Sequence, residues 1–376
     1  MIQTLEGKQV ILAVTGSIAA VESVRLAHAL RRKGAVVQGV MSPAACGILH
    51  PDALTFATGS DVITRCSGHV EHVLWCGEKG RADLLLIAPC TANTLGKVAC
   101  GIDDTCVTTF ATTAIGSGIP VLIAPAMHAA MYRHPAVAKN LETLATWGIG
   151  VIPPRIEEGK AKIADIDTII LHAERALLGK PLAGKRVLVT SGSCREAVDD
   201  VRILTTRSSG AMGRAIALQA FRLGANVTVV HADTFPCVEN AFADNAAQMR
   251  EQVLAHLSPP VDYYVSAAAI SDFTPVRYAG KLESGTPVSI PLQPFPKLLD
   301  EVLARSTATT VAFKLGGQSE EKARRMLAAG SALVVVNDPP VMGAPGGEFT
   351  FVTKSARRSV SGTKEEVAAA LWAALL

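Results

Sequence analysis

Short apolar runs alternate along the chain with longer segments in which apolar residues recur at the spacing of a helix. The apolar runs of the first half lie at 10–14, 36–41, 84–88, 120–124 and 149–152. Those of the second half begin at Val187, Val227, Tyr263, Val311 and Leu333. Strands that alternate with helices form parallel sheets with helices on both faces, so the pattern predicts an α/β chain with doubly wound, mostly parallel sheets.

The helical pattern breaks near the middle of the chain. Apolar spacing typical of a helix covers 165–178, and the segment GKPLAGK at 179–185 interrupts it before the next apolar run. A length of 376 residues suits two domains at roughly 100 to 200 residues each. We therefore expect one domain over 1–180 and a second over 181–376.

The composition of the chain limits the kinds of partner that it is expected to bind. Hydrophobic residues make up 49% and charged residues 18% of the chain, and the net charge is +3. Without a Lys/Arg block the chain is not expected to bind nucleic acid. Without a signal peptide or an apolar run of roughly 20 residues, no membrane contact and a cytoplasmic location are expected. Eight cysteines without a C-x-x-C pair indicate reduced thiols.

Two turns have the chemistry of a phosphate cradle. The first strand runs into TGSIAA at 15–20, and the strand from Val187 runs into TSGS at 190–193, followed by SSGAMG at 208–213. Backbone amides and hydroxyls at a helix N-terminus bind anions. A single glycine turn is also typical of an ordinary α/β connection. Two such turns predict two nucleotide-type sites at the carboxyl ends of strands.

Further motifs follow in order: APCTAN at 88–93, PAMHAAM at 125–131 and, in the second half, the pattern DxVRxxxxxSSGxMG at 199–213. With the GSIAA turn, these motifs resemble the flavin-dependent cysteine decarboxylases. Over nearly its whole length, the chain resembles the bifunctional phosphopantothenoylcysteine decarboxylase/phosphopantothenate-cysteine ligases of coenzyme A biosynthesis, in their archaeal type. The resemblance implies a flavodoxin-like or Rossmann-like flavoprotein domain, then a Rossmann-like ligase domain.

For the first domain the resemblance implies FMN as cofactor and decarboxylation of phosphopantothenoylcysteine to 4′-phosphopantetheine. Family flavin sites are completed by neighbouring subunits, so a homo-oligomer is implied as well. Ser17 and the turn amides would hold the phosphate, and Asn93 would bind the polar edge of the flavin ring. The matching FMN positions are Gly16, Ser17, Ile18, Ser42, Pro89, Thr91 and Asn93.

The catalytic base of the family is a histidine that precedes the strand of the APCTAN motif. Both His69 and His72 lie there, and Val70-Glu71-His72 matches the VEH of archaeal-type relatives. We therefore assign the base to His72, since a near-neutral pKa suits this role. Two alternatives stay open: an ordinary surface histidine, and a helical metal pair formed by His69 and His72 at i, i+3.

The first domain departs from the family at two places. His128 stands where most relatives have an asparagine that holds the substrate carboxylate, and we assign it that role. Bacterial-type relatives also carry a proton-donating cysteine on a flap, whereas no cysteine lies between Cys106 and Cys194. Another acid must then protonate the product, and the candidates are Lys160 and Lys162, which could equally be solvated loop lysines.

For the second domain the resemblance implies a ligase that activates 4′-phosphopantothenate with CTP as an acyl-cytidylate, from which the amine of cysteine displaces CMP. Asp272 would contact the nucleotide or bind Mg2+ (or Mn2+), and Lys281 would neutralise triphosphate charge in catalysis. The alternatives are that Asp272 only caps a turn and that Lys281 is only a solvated charge on a loop. The matching positions are Ser266, Ala267, Ala268, Asp272, Lys281, Pro296, Lys297, Leu298, Leu299, Phe313 and Arg325.

The second domain departs further from the family. Thr206 replaces an asparagine, while Ala211 and Glu283 replace lysines. Losing a charged hydrogen bond would cost on the order of 1.5 to 3 kcal/mol. A flavin-binding regulatory or decarboxylase-only protein with a degenerate ligase domain is therefore an alternative. A prenyl-transferring flavoprotein would leave the second nucleotide domain unexplained, and a nicotinamide dehydrogenase would need a G-x-G-x-x-G turn that is absent.

Overall fold

The computed structural model describes residues 3–285, 287–316 and 319–376. The chain divides into two compact units, Met1–Gly179 and Lys180–Leu376. Within the described residues, no helix combines the length and apolar character needed to cross a membrane. The eight cysteines all lie in the described part of the chain, where none of them is joined in a disulfide bond.

The first unit alternates strands and helices from its start. Its strands are β1 (Gln9–Val14), β2 (Val36–Met41), β3 (Leu84–Cys90), β4 (Val121–Pro125), β5 (Met127–His128), β6 (Gly150–Val151), β7 (Arg155–Glu157) and β8 (Lys160–Lys162). A 3₁₀ turn covers Ile18–Glu22. Its α-helices are α1 (Ser23–Arg32), α2 (Pro43–Cys46), α3 (Pro51–Thr58), α4 (Glu71–Cys76), α5 (Ala92–Ala99), α6 (Cys106–Gly116), α7 (Ala129–Tyr132), α8 (Pro135–Thr146) and α9 (Ile166–Leu177).

The main sheet of this unit is parallel, in the order β2-β1-β3-β4-β6. Both faces are covered by helices, because alternate residues of β1 belong to different hydrophobic clusters: Leu12 and Val14 on one face, Ile11 and Ala13 on the other. Every residue of β3 is buried. This explains why the strands read as continuous apolar runs in the sequence.

The second unit begins with the segment that the sequence predicts to lie between the two domains. Leu182 of this segment is buried and donates its amide to the carbonyl of Leu223. Its strands are β9 (Arg186–Thr190), β10 (Arg195–Ala197), β11 (Ile203–Thr205), β12 (Asn226–His231), β13 (Glu239–Phe242), β14 (Tyr263–Ser266), β15 (Phe273–Pro275), β16 (Leu292–Pro294), β17 (Thr309–Leu315), β18 (Leu333–Asn337), β19 (Gly346–Val352) and β20 (Arg357–Thr363). A 3₁₀ turn covers Pro339–Val341. Its α-helices are α10 (Ala211–Arg222), α11 (Ala246–His256), α12 (Leu298–Arg305), α13 (Ser319–Ala328) and α14 (Lys364–Leu375).

The main sheet of the second unit has the order β13-β12-β9-β14-β17-β18-β19-β20 within the described residues. It is parallel up to β18, and β19 and β20 then add an antiparallel hairpin at the edge. The last helix, α14, is fixed by the buried Trp372, whose indole donates to the carbonyl of Ile216 at 3.0 Å. This contact ties α14 to α10, which begins at the carboxyl end of the sheet.

Candidate active sites

In the first unit, Thr15 joins the two predicted phosphate and flavin turns. Its side chain is fully buried at the end of β1, and its hydroxyl donates to the carbonyl of Pro89 at 2.7 Å. The same hydroxyl accepts the amide of Thr91 at 3.0 Å. The glycine turn after β1 and the APCTAN turn after β3 are therefore held side by side at the carboxyl edge of the sheet.

Three hydroxyl residues begin helical segments at this edge: Ser17, Ser42 and Thr91. Each accepts a hydrogen bond from a backbone amide of the following turn, at 3.4, 3.2 and 3.2 Å respectively. The three residues line one space, and amides without helical partners at a helix start favour an anion. The flavin cleft, as we call this space of about 490 Å³, is lined by Gly16, Ser17, Ser42, Pro43, Ala44, Thr91, Ala92, Asn93, Thr94, Lys97, Thr105, Ala126, Met127 and Met131.

The residues present in the flavin cleft fit an FMN molecule. A Cβ atom at Gly16 would lie 2.5 Å from the Cβ of Ala44, so only glycine allows the backbone to approach here. The cleft volume falls within the roughly 300 to 1,000 Å³ typical of cofactor sites. Hydroxyls and amides suited to a phosphate lie in the same cleft as Asn93, whose amide can bond a ring edge.

Five of the seven predicted FMN residues line the cleft: Gly16, Ser17, Ser42, Thr91 and Asn93. The other two do not. Ile18 is 78% exposed, and Pro89 is buried within β3, where its carbonyl holds Thr15. The other nine lining residues were not predicted as FMN contacts, and Lys97 and Thr105 are among them, although Thr105 is recognisable as the capping residue of α6.

We expect Gly16→Ala to weaken FMN binding by at least about tenfold, because the added Cβ forces α2 away from the glycine turn. Fluorescence titration of the flavin-free protein measures this. Gly116→Ala is the matched control, since a Cβ there meets nothing within 4 Å. Equal affinity of the Gly16 variant and the parent would show that the turn does not approach the flavin.

The segment with the two candidate histidines is fixed by Glu71. Its carboxylate accepts the amide of Ser67 at 2.8 Å and the hydroxyl of the same residue. These hydrogen bonds lower the pKa of Glu71 to about 2. Helix α4 begins only at this residue, and Val70 before it has a left-handed backbone, with φ of 50°. His69 therefore lies outside the helix, and the i, i+3 helical pair is not formed.

His72 and His69 differ in environment. His69 is exposed, whereas His72 is half-buried on α4 and its Nδ1 atom is buried with no hydrogen-bond partner among the described residues. Helix α4 packs on α6, and the residue that caps α6, Thr105, lines the flavin cleft. The Nδ1 atom of His72 is thus left without a partner among the described residues, on a helix that packs against the helix whose capping residue lines the flavin cleft.

The flap that carries Lys160 and Lys162 is a hairpin beside the flavin cleft. Strands β7 and β8 join through Glu158 and Gly159, both with positive φ, and β8 pairs with β5. His128 lies directly opposite Lys160 in this pairing. Facing residues of an antiparallel pair have Cβ atoms roughly 4.5 to 5.5 Å apart, so the two side chains predicted to act on the substrate are neighbours.

The two flap lysines are not equivalent. The Lys162 ammonium lies 2.9 Å from a carboxylate oxygen of Glu158 and 3.2 Å from one of Glu157. These contacts, led by the one with Glu158, raise the Lys162 pKa. A raised pKa makes the ammonium a weaker proton donor, so the geometry favours Lys160 between the two candidates.

In the second unit, two glycine-containing turns meet at the carboxyl end of the sheet. Ser191 donates its hydroxyl to the carbonyl of Gly210 at 3.0 Å, and a Cβ at Gly213 would collide with the same serine. The resulting space, which we call the ligase cleft, measures about 440 Å³. It is lined by Thr206, Ser208, Ser209, Gly210, Ala211, Met212, Gly213, Ala267, Ala268, Ala269, Ile270, Asp272, Phe313, Lys314, Leu315, Asn337, Val341, Met342, Gly343, Phe349 and Lys364.

Four predicted residues line the ligase cleft: Ala267, Ala268, Asp272 and Phe313. Among the described residues no cluster of three or more His, Cys, Asp or Glu side chains could hold a metal ion by itself. A Mg2+ ion at Asp272 would therefore depend on oxygens from water and phosphate, which is its usual way of binding with nucleotides.

The remaining predicted residues lie outside the lining of the ligase cleft. Ser266 ends β14, and 296–299 follow Phe295, whose amide bonds the carbonyl of Asp272 at 2.9 Å. Leu298 packs in the core. Arg325 forms an exposed ion pair with Glu321. The outlying set is Ser266, Lys281, Pro296, Lys297, Leu298, Leu299 and Arg325.

The loop that carries Lys281 is tied to the DxVR motif. Asp199 is buried and accepts the amide of Leu282 at 3.0 Å, while two amides of its own turn donate to its other oxygen. The Leu282 amide gives the largest lowering of the Asp199 pKa, which lies well below its usual range. Asp199 thus positions the loop, and Lys281 itself is exposed.

We expect Asp199→Asn to release this loop, because a carboxamide cannot accept all of these hydrogen bonds. Trypsin should then cleave after Lys281 at least about fivefold faster than in the parent, through local opening. Asp200→Asn is the control, since its carboxylate is exposed and pairs with the exposed side chain of Arg277. Cleavage at the parental rate would mean that Asp199 does not hold the loop.

Three polar residues of the ligase cleft stand out by their chemistry. Thr206, which replaces the family asparagine, has a buried hydroxyl with no hydrogen-bond partner among the described residues. Lys314 and Lys364 line the cleft and were not predicted. Lys314 follows the predicted Phe313 on β17, but no local pattern links Lys364, at the start of the last helix, to this site.

Comparisons with known proteins match a family to each half of the chain. A family model described as Flavoprotein matches residues 2–177, and one described as the DNA/pantothenate metabolism flavoprotein C-terminal domain matches 182–376. The coenzyme A biosynthesis bifunctional protein CoaBC of Thermococcus kodakarensis is 45% identical, over 98% of this chain and 94% of the relative. CoaBC of Methanocaldococcus jannaschii is 33% identical, over 96% of this chain and 92% of the relative.

Among solved structures, an FMN-dependent cysteine decarboxylase, SpaF, is 30% identical and has a TM-score of 0.39. It matches 45% of this chain and 99% of its own. The family models and the full-length relatives include both units of the chain. The chain therefore belongs to the CoaBC family of bifunctional coenzyme A biosynthesis proteins.

Proposed function

We propose that the chain carries out two consecutive reactions: CTP-dependent ligation of cysteine to 4′-phosphopantothenate, then FMN-dependent decarboxylation of the product to 4′-phosphopantetheine. As a member of its family, the chain is an enzyme of coenzyme A biosynthesis with ligase and decarboxylase activities. We assign decarboxylation to 1–180 and ligation to 181–376. The observation that carries the proposal is a cleft at the carboxyl edge of each main sheet, lined by that half's family motifs.

In the decarboxylase half, bound FMN supplies an acceptor and donor of two electrons, which makes loss of CO2 from the cysteinyl group feasible. His72 acts as the base, because the Nδ1 atom of its half-buried imidazole has no hydrogen-bond partner among the described residues. His128 donates to the substrate carboxylate, and Lys160, its neighbour across the strand pair, protonates the product. The glycine turn and the capping hydroxyls hold the FMN phosphate.

In the ligase half, a carboxylate oxygen of 4′-phosphopantothenate attacks the α-phosphorus of CTP, and pyrophosphate leaves. The cysteine amine then attacks the acyl carbon, and CMP leaves. Amides at the start of α10, with Ser208 and Ser209, are suited to phosphate oxygens. Asp272 would bind Mg2+ (or Mn2+) together with the triphosphate, and Lys281 stabilises charge in the transition state.

The decarboxylase-only alternative is favoured by one observation: Lys281 and Arg325 lie outside the ligase cleft. Release of CMP and pyrophosphate from CTP by the purified chain distinguishes the two functions. The proposed function requires both products in the presence of 4′-phosphopantothenate and cysteine, whereas the alternative requires neither.

We also propose that the enzyme works as a cytoplasmic homo-oligomer. Ile18 is 78% exposed beside the glycine turn, and Met131, at the flavin cleft, is 50% exposed. Apolar side chains of this size at a cofactor site suit contact with a neighbouring copy. Light scattering should give a mass of at least two chains, and a monomer that binds FMN fully would contradict this proposal.

A further inference from the structure

Lys364 is a buried lysine whose ammonium has no counter-charge among the residues that the structure describes. It is the first residue of α14, is 8% exposed and lines the ligase cleft. Its backbone amide bonds the carbonyl of Pro345, but no hydrogen bond or ion pair holds its ammonium within the part of the chain that the structure describes. Lysine is almost never fully buried unless it is paired.

The local surroundings do not stabilise this charge. An ammonium at a helix N-terminus faces the positive end of the helix dipole. The nearest acids in sequence are exposed, and a carboxylate oxygen of Glu366 is already engaged by the amide and hydroxyl of Thr363. Burial lowers the pKa of Lys364. A free energy cost of this kind is offset when an anion binds beside the ammonium.

The ligase cleft lacks cations where the family has them. Ala211 stands in the place of a family lysine, and Lys281 lies outside the cleft lining. Among the described residues that line the cleft, the cations are Lys314 and Lys364. Lys364 shares the cleft with the unpartnered hydroxyl of Thr206 and with the amides at the start of α10. These groups together present donors to an anion.

We propose that the Lys364 ammonium binds a phosphate group of the ligand in the ligase cleft. The inference rests on the proposed ligase function of this half. Two ligands carry the required chemistry: the triphosphate of the nucleotide and the phosphate ester of 4′-phosphopantothenate. Separate binding measurements with CTP, 4′-phosphopantothenate and inorganic pyrophosphate, each with Mg2+, distinguish these sources.

The test compares Lys364→Met, Lys364→Arg and the parent as full-length chains. We expect Lys364→Met to weaken binding of one or more of these anions at least about tenfold, while Tm without ligand stays equal or rises because a buried unpaired charge is removed. Lys364→Arg should keep most of the affinity. Lys354→Met is the control, since Lys354 is exposed and lies outside the ligase cleft.

Undiminished binding of all three anions by Lys364→Met would overturn the inference, and CTP cleavage by the parent would show that the proposed function still stands. If the parent binds none of the anions, the inference fails; if it also cleaves no CTP, the proposed function fails too.

A second measurement needs no variant. Saturating CTP or 4′-phosphopantothenate should protect Lys364 of the parent from an amine-reactive reagent, and unchanged labelling at saturation with each would also overturn the inference.

Discussion

His72→Asn is expected to lower the single-turnover rate of phosphopantothenoylcysteine decarboxylation by at least about a hundredfold, the lower range for loss of a general base. The asparagine keeps a similar size at the half-buried position on α4 but cannot take up a proton near neutral pH. FMN should remain bound, because His72 does not line the flavin cleft. Rapid-quench measurement of CO2 release, with bound FMN followed by its absorbance, separates the two effects.

His69→Asn is the matched control for this prediction. His69 lies three residues away, is exposed and precedes the helix. Its replacement should leave the rate within about twofold of the parent, as is usual for surface positions. Full activity of the His72 variant together with loss in the His69 variant would reverse the assignment of the base.

Lys281→Gln is expected to slow ligation at least about tenfold, which corresponds to roughly 1.4 kcal/mol of transition-state stabilisation. With Glu283 in the place of a second lysine, Lys281 should carry more of the triphosphate charge than in the family pattern. The rate of pyrophosphate release at saturating CTP measures this. Glutamine keeps most of the side chain's length, so the loop tied to Asp199 should stay in place.

Lys354→Gln is the control, because it removes an exposed lysine of the same unit outside the ligase cleft. It should turn over at the parental rate. If Lys281→Gln also turns over like the parent, Lys281 does not take part in ligation and stays an exposed loop residue. The charge of the triphosphate would then be met by other groups.

Much of the fold could be predicted from the sequence because parallel strands buried on both faces form continuous apolar runs. The run at 84–88 corresponds to β3, whose residues are all buried. The edge hairpin of β19 and β20 was missed. Polar and charged residues interrupt both strands, as in an edge hairpin with a solvated face, so neither strand forms a long apolar run.

The candidate sites were predicted where local motifs carry the chemistry. Ser17 and Thr91 each cap a helical segment directly after a strand, so their position follows from a few neighbouring residues. Lys364 was missed because it reaches the ligase cleft only through the packing of the last helix on α10, far away in sequence. Conversely, Arg325 matches the family pattern but pairs with Glu321 on the surface.

The central claim is that one chain performs both reactions in order. The most direct measurement supplies the full-length protein with 4′-phosphopantothenate, carboxyl-labelled cysteine, CTP, Mg2+ and FMN, and quantifies labelled CO2 and CMP together. The expected result is one CO2 for each CMP at completion, with CO2 release abolished when either CTP or FMN is omitted. Absence of CMP, or CMP formation without any labelled CO2 in the presence of bound FMN, would contradict the account.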